Sequence, residues 1–153
     1  MFTMANEIDT TDKDILAVLN KNSRLSYRQI AQKVGVSVAT VLNRVRLLEK
    51  DDVIQGYTAT LDYEKLGYDV SVMVNIRVSR GKLFEVERKI AADPHVVALY
   101  DVTGSFDAVV VARFKTRRML DTFLKKIQTF EFIERTETVL ILNEITERTF
   151  ELS

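Results

Sequence analysis

Asn43, Arg44, Arg46 and Lys50 stand close together in the stretch SVATVLNRVRLLEK that runs from Ser37 to Lys50. An amide or a guanidinium makes paired hydrogen bonds to planar edges, and lysine or arginine neutralises phosphate. That is the chemistry of recognition rather than of bond breaking. A second stretch, Val102-Thr103-Gly104-Ser105-Phe106-Asp107, lies between the apolar runs VVALYDV and AVVVARF and offers another set of groups. Asp107 could accept from an ammonium, while backbone N–H groups around Gly104 could donate to a carboxylate, and glycine allows close approach. The same six residues also describe a plain hairpin tip with a solvated aspartate at a strand end.

The first set needs helices to hold it. Apolar residues recur at helical spacing as Ile15, Leu16 and Leu19, then Ile30 and Val34, then Val41, Val45 and Leu48, which predicts three helices between about residues 11 and 50. Ser26 and Gln29 form a capping box for the second helix, Gly35 is placed to end it, and Ser37 caps a third helix starting at Val38. A turn of a few residues containing glycine is the mark of a helix-turn-helix, with Ala31 small at the helix crossing and Val36 plugging the core. A plain three-helix scaffold would share this pattern.

Successive helical residues turn by about 100°. With Val41 inward, Val38, Val45 and Leu48 lie beside it, while Ala39, Asn43, Arg46 and Lys50 project opposite, with Thr40 and Leu47 to one side. That outer face suits a major groove: Asn43 for adenine, Arg44 or Arg46 for guanine or phosphate, Ala39 or the Thr40 methyl for a thymine methyl. Ser37 at the helix start joins this set, and Arg24, Tyr27 and Arg28 are placed for phosphate contacts that position rather than specify. The chain carries 22 basic and 22 acidic residues, yet residues 21 to 50 hold seven basic groups against the single acid Glu49. A basic block in a neutral chain fits a localised anionic partner, double-stranded DNA, although charge alone fits a solvated helix face equally well.

The second set needs strands. Val53 and Ile54 close the helical core, and residues 55 to 68 form a connection in which Tyr57 to Leu61 reads as a strand. From Val70 the period becomes two, with Val70, Val72, Val74, Ile76 and Val78 on one face. Leu83, Val86 and Ile90 then mark a helix stopped by Asp93-Pro94, followed by strands Val96 to Val102 and Phe106 to Lys115. Leu120, Phe123, Leu124 and Ile127 mark a further helix, and a last strand starts near Arg135. The order β-α-β-β-α-β is the ferredoxin-like plan, so the expected class is α+β, with a helix-turn-helix domain over residues 1–54, the connection, and a ferredoxin-like domain over 69–153. Val109 and Val111 oppose Ala108, Val110, Ala112 and Phe114, and Val97 and Leu99 oppose Val96 and Tyr100. Both sheet faces therefore want burial, and a partner subunit would cover the face that the helices leave open.

Other chemistry is sparse. No cysteine is present, which excludes disulfides and thiolate metal sites, and the single histidine, His95, has no ligand cluster around it. Glu144, Glu147 and Glu151 read as solvated charge. No catalytic triad, Walker loop or zincin motif appears, so no enzyme, no metal and no cofactor are expected. No window is apolar enough to span a membrane and the amino terminus lacks a signal-peptide layout, which points to the cytoplasm.

Across nearly its whole length the chain resembles the Lrp/AsnC family, the leucine-responsive and asparagine-related feast/famine transcription regulators. The resemblance is carried by Asp9 and Asp12 before Ile15-Leu16, Arg24-Leu25-Ser26, Ile30-Ala31, Val34-Gly35-Val36-Ser37, Val41, Arg44-Val45, Leu48-Glu49, Val53-Ile54, and by Val102 to Asp107, similar to the glycine-aromatic-aspartate element of the family's RAM domain. Asp52 departs from it, standing where the family usually has glycine. The resemblance implies a winged-type helix-turn-helix joined to a RAM domain that pairs as a homodimer, assembles commonly to octamers, and binds a free amino acid between dimers. On that basis the effector pocket would take Thr103, Gly104 and Asp107 from one subunit and Arg135, Thr136, Glu137 and Thr138 from a neighbour. The threonine and glutamate content of the second group suits a polar amino acid such as glutamine. The expected function is a sequence-specific regulator whose assembly or DNA affinity responds to that effector; the alternative is an amino acid sensor acting on a partner enzyme without DNA binding.

Overall fold

Three short helices and a four-stranded sheet with two further helices make up the computed structural model, which describes residues 7–152. The signal-peptide reading concerned in part Met1 to Asn6, which lie outside the described residues. No helix among the described residues is long and apolar enough to cross a membrane. The chain divides into two compact units, one running up to Thr60 and including the tail from Thr146, the other Leu61–Ile145. Sequence grouped that tail with the second domain; in the structure the Asn20 side-chain amide donates to the Phe150 carbonyl at 2.6 Å.

The first unit contains α1 (Thr10–Lys21), α2 (Tyr27–Val34) and α3 (Val38–Lys50). Each starts at a side-chain cap. Asp9 and Asp12 cap α1 reciprocally, Ser26 and Gln29 do the same for α2, and the Ser37 hydroxyl accepts from the Thr40 N–H at 3.0 Å. Gly35 ends α2 in the left-handed region, φ +80°, with its N–H donating to the Ala31 carbonyl at 2.8 Å. The core joins Ile15, Leu19, Ile30, Ala31, Val41 and Val45, with Val36 and Ile54 packed against it. Each fully buried side chain such as Ile15 or Ile30 contributes about 1.5–3 kcal/mol.

Two expectations fail here. Val38, placed inward by the wheel, is 45% exposed. Val53 is also exposed while Ile54 alone packs inward. The cause is Asp52, the one non-glycine residue with positive φ among those described, at φ +55°. The chain reverses there and both the Val53 and Ile54 N–H groups donate to the Leu48 carbonyl.

The second unit contains β1 (Val70–Val78), α4 (Leu83–Ala91), β2 (Val96–Asp101), β3 (Ala108–Phe114), α5 (Arg117–Gln128) and β4 (Ile133–Ile141). The sheet is antiparallel with order β2-β3-β1-β4, the ferredoxin-like arrangement. Val72, Val74, Ile76, Ala108, Val110, Ala112 and Phe114 are buried beneath Val86 and Ile90 of α4 and Phe123 and Ile127 of α5. Residues 57 to 61 form no strand, since a strand needs a ladder partner and none of the described residues supplies one.

The alternation read for β2 is also corrected. The pairing with β3 shifts between Val96 and Ala98, so Val96 and Leu99 both pack on the core, while Val97 and Tyr100 are 51% and 59% exposed. One extra residue reverses the parity of everything after it.

Candidate nucleic-acid interface and ligand loop

Helix α3 presents two faces of different character. Val41, Val45 and Leu48 are buried, while Ala39, Asn43, Arg46, Leu47 and Lys50 are exposed. Among the described residues neither Arg46 nor Lys50 is in an ion pair, and the side chains of Arg24 and Arg28 are likewise unpaired on the surface near the start of α2. Tyr27, the first residue of α2, is 38% exposed. The helix starts in a small hydroxyl network: Ser37 Oγ and Thr40 Oγ1 are 2.8 Å apart, so both side chains are already engaged with each other.

Arg44 is turned elsewhere. Its Nη1 lies 2.9 Å from Asp9 Oδ2 and 3.2 Å from Asp12 Oδ2, an arrangement that ties α3 to the start of α1. Asp9 is held below the usual carboxylate range, first by the Asp12 N–H and then by the Arg44 charge. At the far end of α3, the Tyr57 hydroxyl donates to Glu49 at 2.9 Å, and burial together with that carboxylate pushes the phenol up to about 12. A cleft of about 460 Å³ lies beside this pair, lined by Leu25, Tyr27, Glu49 and Tyr57 among others.

The 102–107 loop joins β2 to β3. Its ends close through the Val102 N–H to the Asp107 carbonyl at 3.0 Å, and the Asp107 N–H donates to the Ile76 carbonyl at 2.9 Å. The Asp107 carboxylate accepts from the Val78 N–H at 2.8 Å, which occupies Oδ2. Arg77 Nη1 donates to the Ser105 carbonyl at 2.7 Å, so a charged residue inside an apolar strand steadies the tip. Thr103 and Gly104 are exposed; Gly104 has φ +119°, and a Cβ there would meet nothing within 4 Å. Glycine is required by the backbone conformation rather than by crowding.

Strand β4 runs two strands away from β3, with β1 between them. Even so, the Arg135 guanidinium of the same chain reaches the Phe106 ring, 5.6 Å from its centre, and Arg135 Nη2 is 3.4 Å from Glu137. The register pairs Arg77 with Arg135, Ile76 with Thr136, Asn75 with Glu137 and Val74 with Thr138. Directly opposed residues share a face, so Thr136 and Thr138 lie on the face of buried Ile76 and Val74, while Arg135 and Glu137 lie on the other. The four residues therefore present to two sides of the sheet edge, not one. Sequence missed Arg77 and the contact of Arg135 with Phe106 here; an arginine within a run of alternating valines was the available signal for the first.

Just before the loop, Asp101 at the end of β2 faces Glu87 of α4. Burial, then the hydrogen bond and negative charge of Asp101, push the Glu87 carboxyl up to about 7. His95 stacks on Phe114 with ring centres 4.9 Å apart, its Nδ1 2.9 Å from Asp93. Burial would raise Asp93, but Lys126 at 2.9 Å and His95 outweigh it and hold the carboxyl low. Glu144, read as solvated, accepts from Arg113 Nη2 at 2.8 Å. No group of three or more potential metal ligands forms among the described residues.

Comparison with known proteins agrees with both halves. Residues 8–55 match the model for winged helix-turn-helix DNA-binding domains, and residues 71–150 match that for the Lrp/AsnC ligand binding domain. An HTH-type transcriptional regulator of Pyrococcus furiosus is 44% identical over 146 residues, covering 95% of this chain and 98% of the relative. The solved structure of Escherichia coli AsnC superimposes with a TM-score of 0.85 at 29% identity, covering 94% of this chain and 98% of the other. A transcriptional regulator from Neisseria meningitidis, solved as an L-Met complex, shares the fold at TM-score 0.83 and 23% identity, covering 92% and 94% of the two chains. With a helix-turn-helix whose caps and core are in place and a ferredoxin-like sheet behind a glycine loop, the chain belongs to the Lrp/AsnC family of transcription regulators.

Proposed function

We propose that the exposed row of α3 reads specific base pairs in the major groove, and that a free amino acid bound at the 102–107 loop tunes this binding. The observation that carries the reading is the row itself. Asn43, Arg46 and Lys50 stand unpaired on the side opposite Val41, Val45 and Leu48, on a helix whose Thr40 N–H is capped by Ser37. Asn43 takes adenine, Arg46 takes guanine or phosphate, and Ala39 and the Thr40 methyl meet apolar base edges. Arg24, Tyr27, Arg28 and Lys50 contact phosphates, and Ser37 orders the helix start against the backbone.

The effector pocket combines Thr103, Gly104 and Asp107 of one subunit with Arg135, Thr136, Glu137 and Thr138 of a neighbouring copy. Support for the first group is the open space beside Gly104 and the second carboxylate oxygen of Asp107. Homodimerisation is supported by the uncovered sheet face, where Met73, Tyr100 and Val139 are 39%, 59% and 45% exposed. Dimers then assemble further, to an octamer, in the cytoplasm, and no catalysis is involved. Selection of bound DNA from a random pool, repeated with glutamine, L-methionine and other amino acids, tests both halves. Enrichment of one motif whose recovery changes with an amino acid is expected; no enrichment above background overturns the reading.

A further inference from the structure

Asp12 is a charged residue in the interior of the helical unit, 6% exposed. A buried carboxylate is costly unless its oxygens are matched by donors and its charge by a cation. The donors are the Asp9 N–H, 3.1 Å from Oδ2, and Arg44 Nη1, 3.4 and 3.2 Å from the two oxygens. Asp9 in turn accepts the Asp12 N–H at 2.9 Å and meets the same Arg44 nitrogen at 2.9 Å. A helix start favours one acid through its free N–H groups, but two adjacent carboxylates repel each other. One guanidinium nitrogen from α3 serves both.

Resting on the DNA-reading assignment above, we infer that Arg44 is a positioning residue: clamped between Asp9 and Asp12, it fixes the rotation of α3 and hence the aim of Asn43 and Arg46. Apolar contacts of Val41, Val45 and Leu48 hold the helix against the core without a strong directional preference. The ion pairs add direction. At about 100° per residue, Asn43 stands about 100° and Arg46 about 160° from Arg44 in the same rotational sense, so anchoring Arg44 on α1 sets the bearings of both. The three charged groups together are net negative, so the cluster offers no attraction to phosphate. Arg44 is thereby removed from the seven basic groups of residues 21 to 50 that face an anionic partner.

The test compares affinity for the selected site and for random DNA as a function of salt, because each phosphate contact contributes about 0.9 to the salt slope. Arg44→Met is expected to weaken specific binding about tenfold or more, comparable to losing one base contact, with the slope and random-DNA affinity unchanged. Arg44→Lys should recover most of that loss, since an ammonium can sit between the two carboxylates. Asp12→Asn should weaken specific binding in the wild-type background and add little in the Arg44→Met background. A slope reduced by about one in Arg44→Met, with Asp12→Asn binding as well as or better than wild type, would mean that Arg44 touches phosphate and overturns the inference. If Arg44→Met fails to fold, as judged by circular dichroism, Asp9→Asn decides: this removes the half-exposed carboxylate, and unchanged specific affinity overturns the proposal. Wild-type protein that selects no site overturns the DNA-reading assignment and the inference with it, whereas a wild-type site indifferent to Arg44→Met overturns the inference alone.

Discussion

Helix α3 and the 102–107 loop both display polar side chains, but they dispose of them in opposite ways. On α3 the helix start is capped by Ser37 and its ladder runs from there, which leaves Asn43, Arg46 and Lys50 with nothing to do inside the chain. In the loop the polar groups are largely used up internally, Asp107 on Val78, Arg77 on Ser105, Arg135 on Phe106 and Glu137. A rigid helix can present a finished reading surface from a single chain. The loop has one open side, beside Gly104, and Thr136 and Thr138 face away from Arg135 and Glu137. In the proposed pocket, the other wall would come from a second copy of the chain.

The largest effect should come from removing the unpaired row. Asn43→Ala combined with Arg46→Ala is expected to lower affinity for the selected site by roughly a hundredfold or more, at about 1–3 kcal/mol for each lost base contact, with random-DNA binding much less affected. Size-exclusion chromatography should show the same oligomer; a variant that retains specific affinity breaks the comparison on the helical side. On the loop side, Asp107→Ala strands the Val78 N–H, which should cost about 1–3 kcal/mol of stability and abolish amino acid binding in calorimetry. Asp107→Asn sharpens the point. An amide oxygen can still accept from Val78, so stability should be nearly restored while ammonium binding is not, and effector affinity equal to wild type would remove Asp107 from the pocket.

Two smaller effects assign each region its own response to conditions. Glu87 has a folded pKa raised from 4.5 to about 7, so its protonated form favours the fold. The sign follows: that stabilisation is fully present below about pH 4.5 and is lost as pH rises through about 7. Denaturant titrations should therefore show stability of the sheet unit declining across this window by about 1 kcal/mol, allowing for solvent screening, and Glu87→Gln should flatten the decline. A pH-independent difference between the two proteins would refute the assignment. Least of all, Asp52→Gly should stabilise the helical unit by about 0.5–1 kcal/mol, since glycine adopts φ +55° without a Cβ penalty. Thermal melts that move down rather than up would show that the Asp52 side chain contributes something that outweighs its backbone strain.

Much of this architecture was written in local signals. The Ser26–Gln29 box, Gly35, the start of α3 at Val38 and the even-numbered valines of β1 all rest on neighbours within four residues, and all stand in the structure as read. What escaped depended on distant partners. The capping role of Asp9 and Asp12 was invisible because two acids do not look like a capping box, and their neutralising cation lies 32 residues away from Asp12. Arg44 was read as a DNA contact from its charge and its place on α3; its ion pairs with Asp9 and Asp12 reach across to the start of α1 and leave no trace in local sequence. Val53 was misplaced by a backbone reversal at Asp52, whose positive φ composition alone does not announce. At the loop, the family resemblance named Thr103, Gly104 and Asp107 as pocket residues, whereas the contacts of Arg77 with Ser105 and of Arg135 with Phe106 become evident only when β1 and β4 are laid side by side.

The shifted pairing near Val97 bears on any attempt to transplant the 102–107 loop. Its six residues do not encode their own orientation; that is inherited from a parity set upstream in β2, where one supernumerary residue decides which way Tyr100 and Asp101 point. Deleting Val97 would restore a regular ladder and turn the loop's entry strand over, sending the same VTGSFD motif to the wrong side of the sheet. A graft that carries the motif without the bulge moves the letters and leaves the address behind.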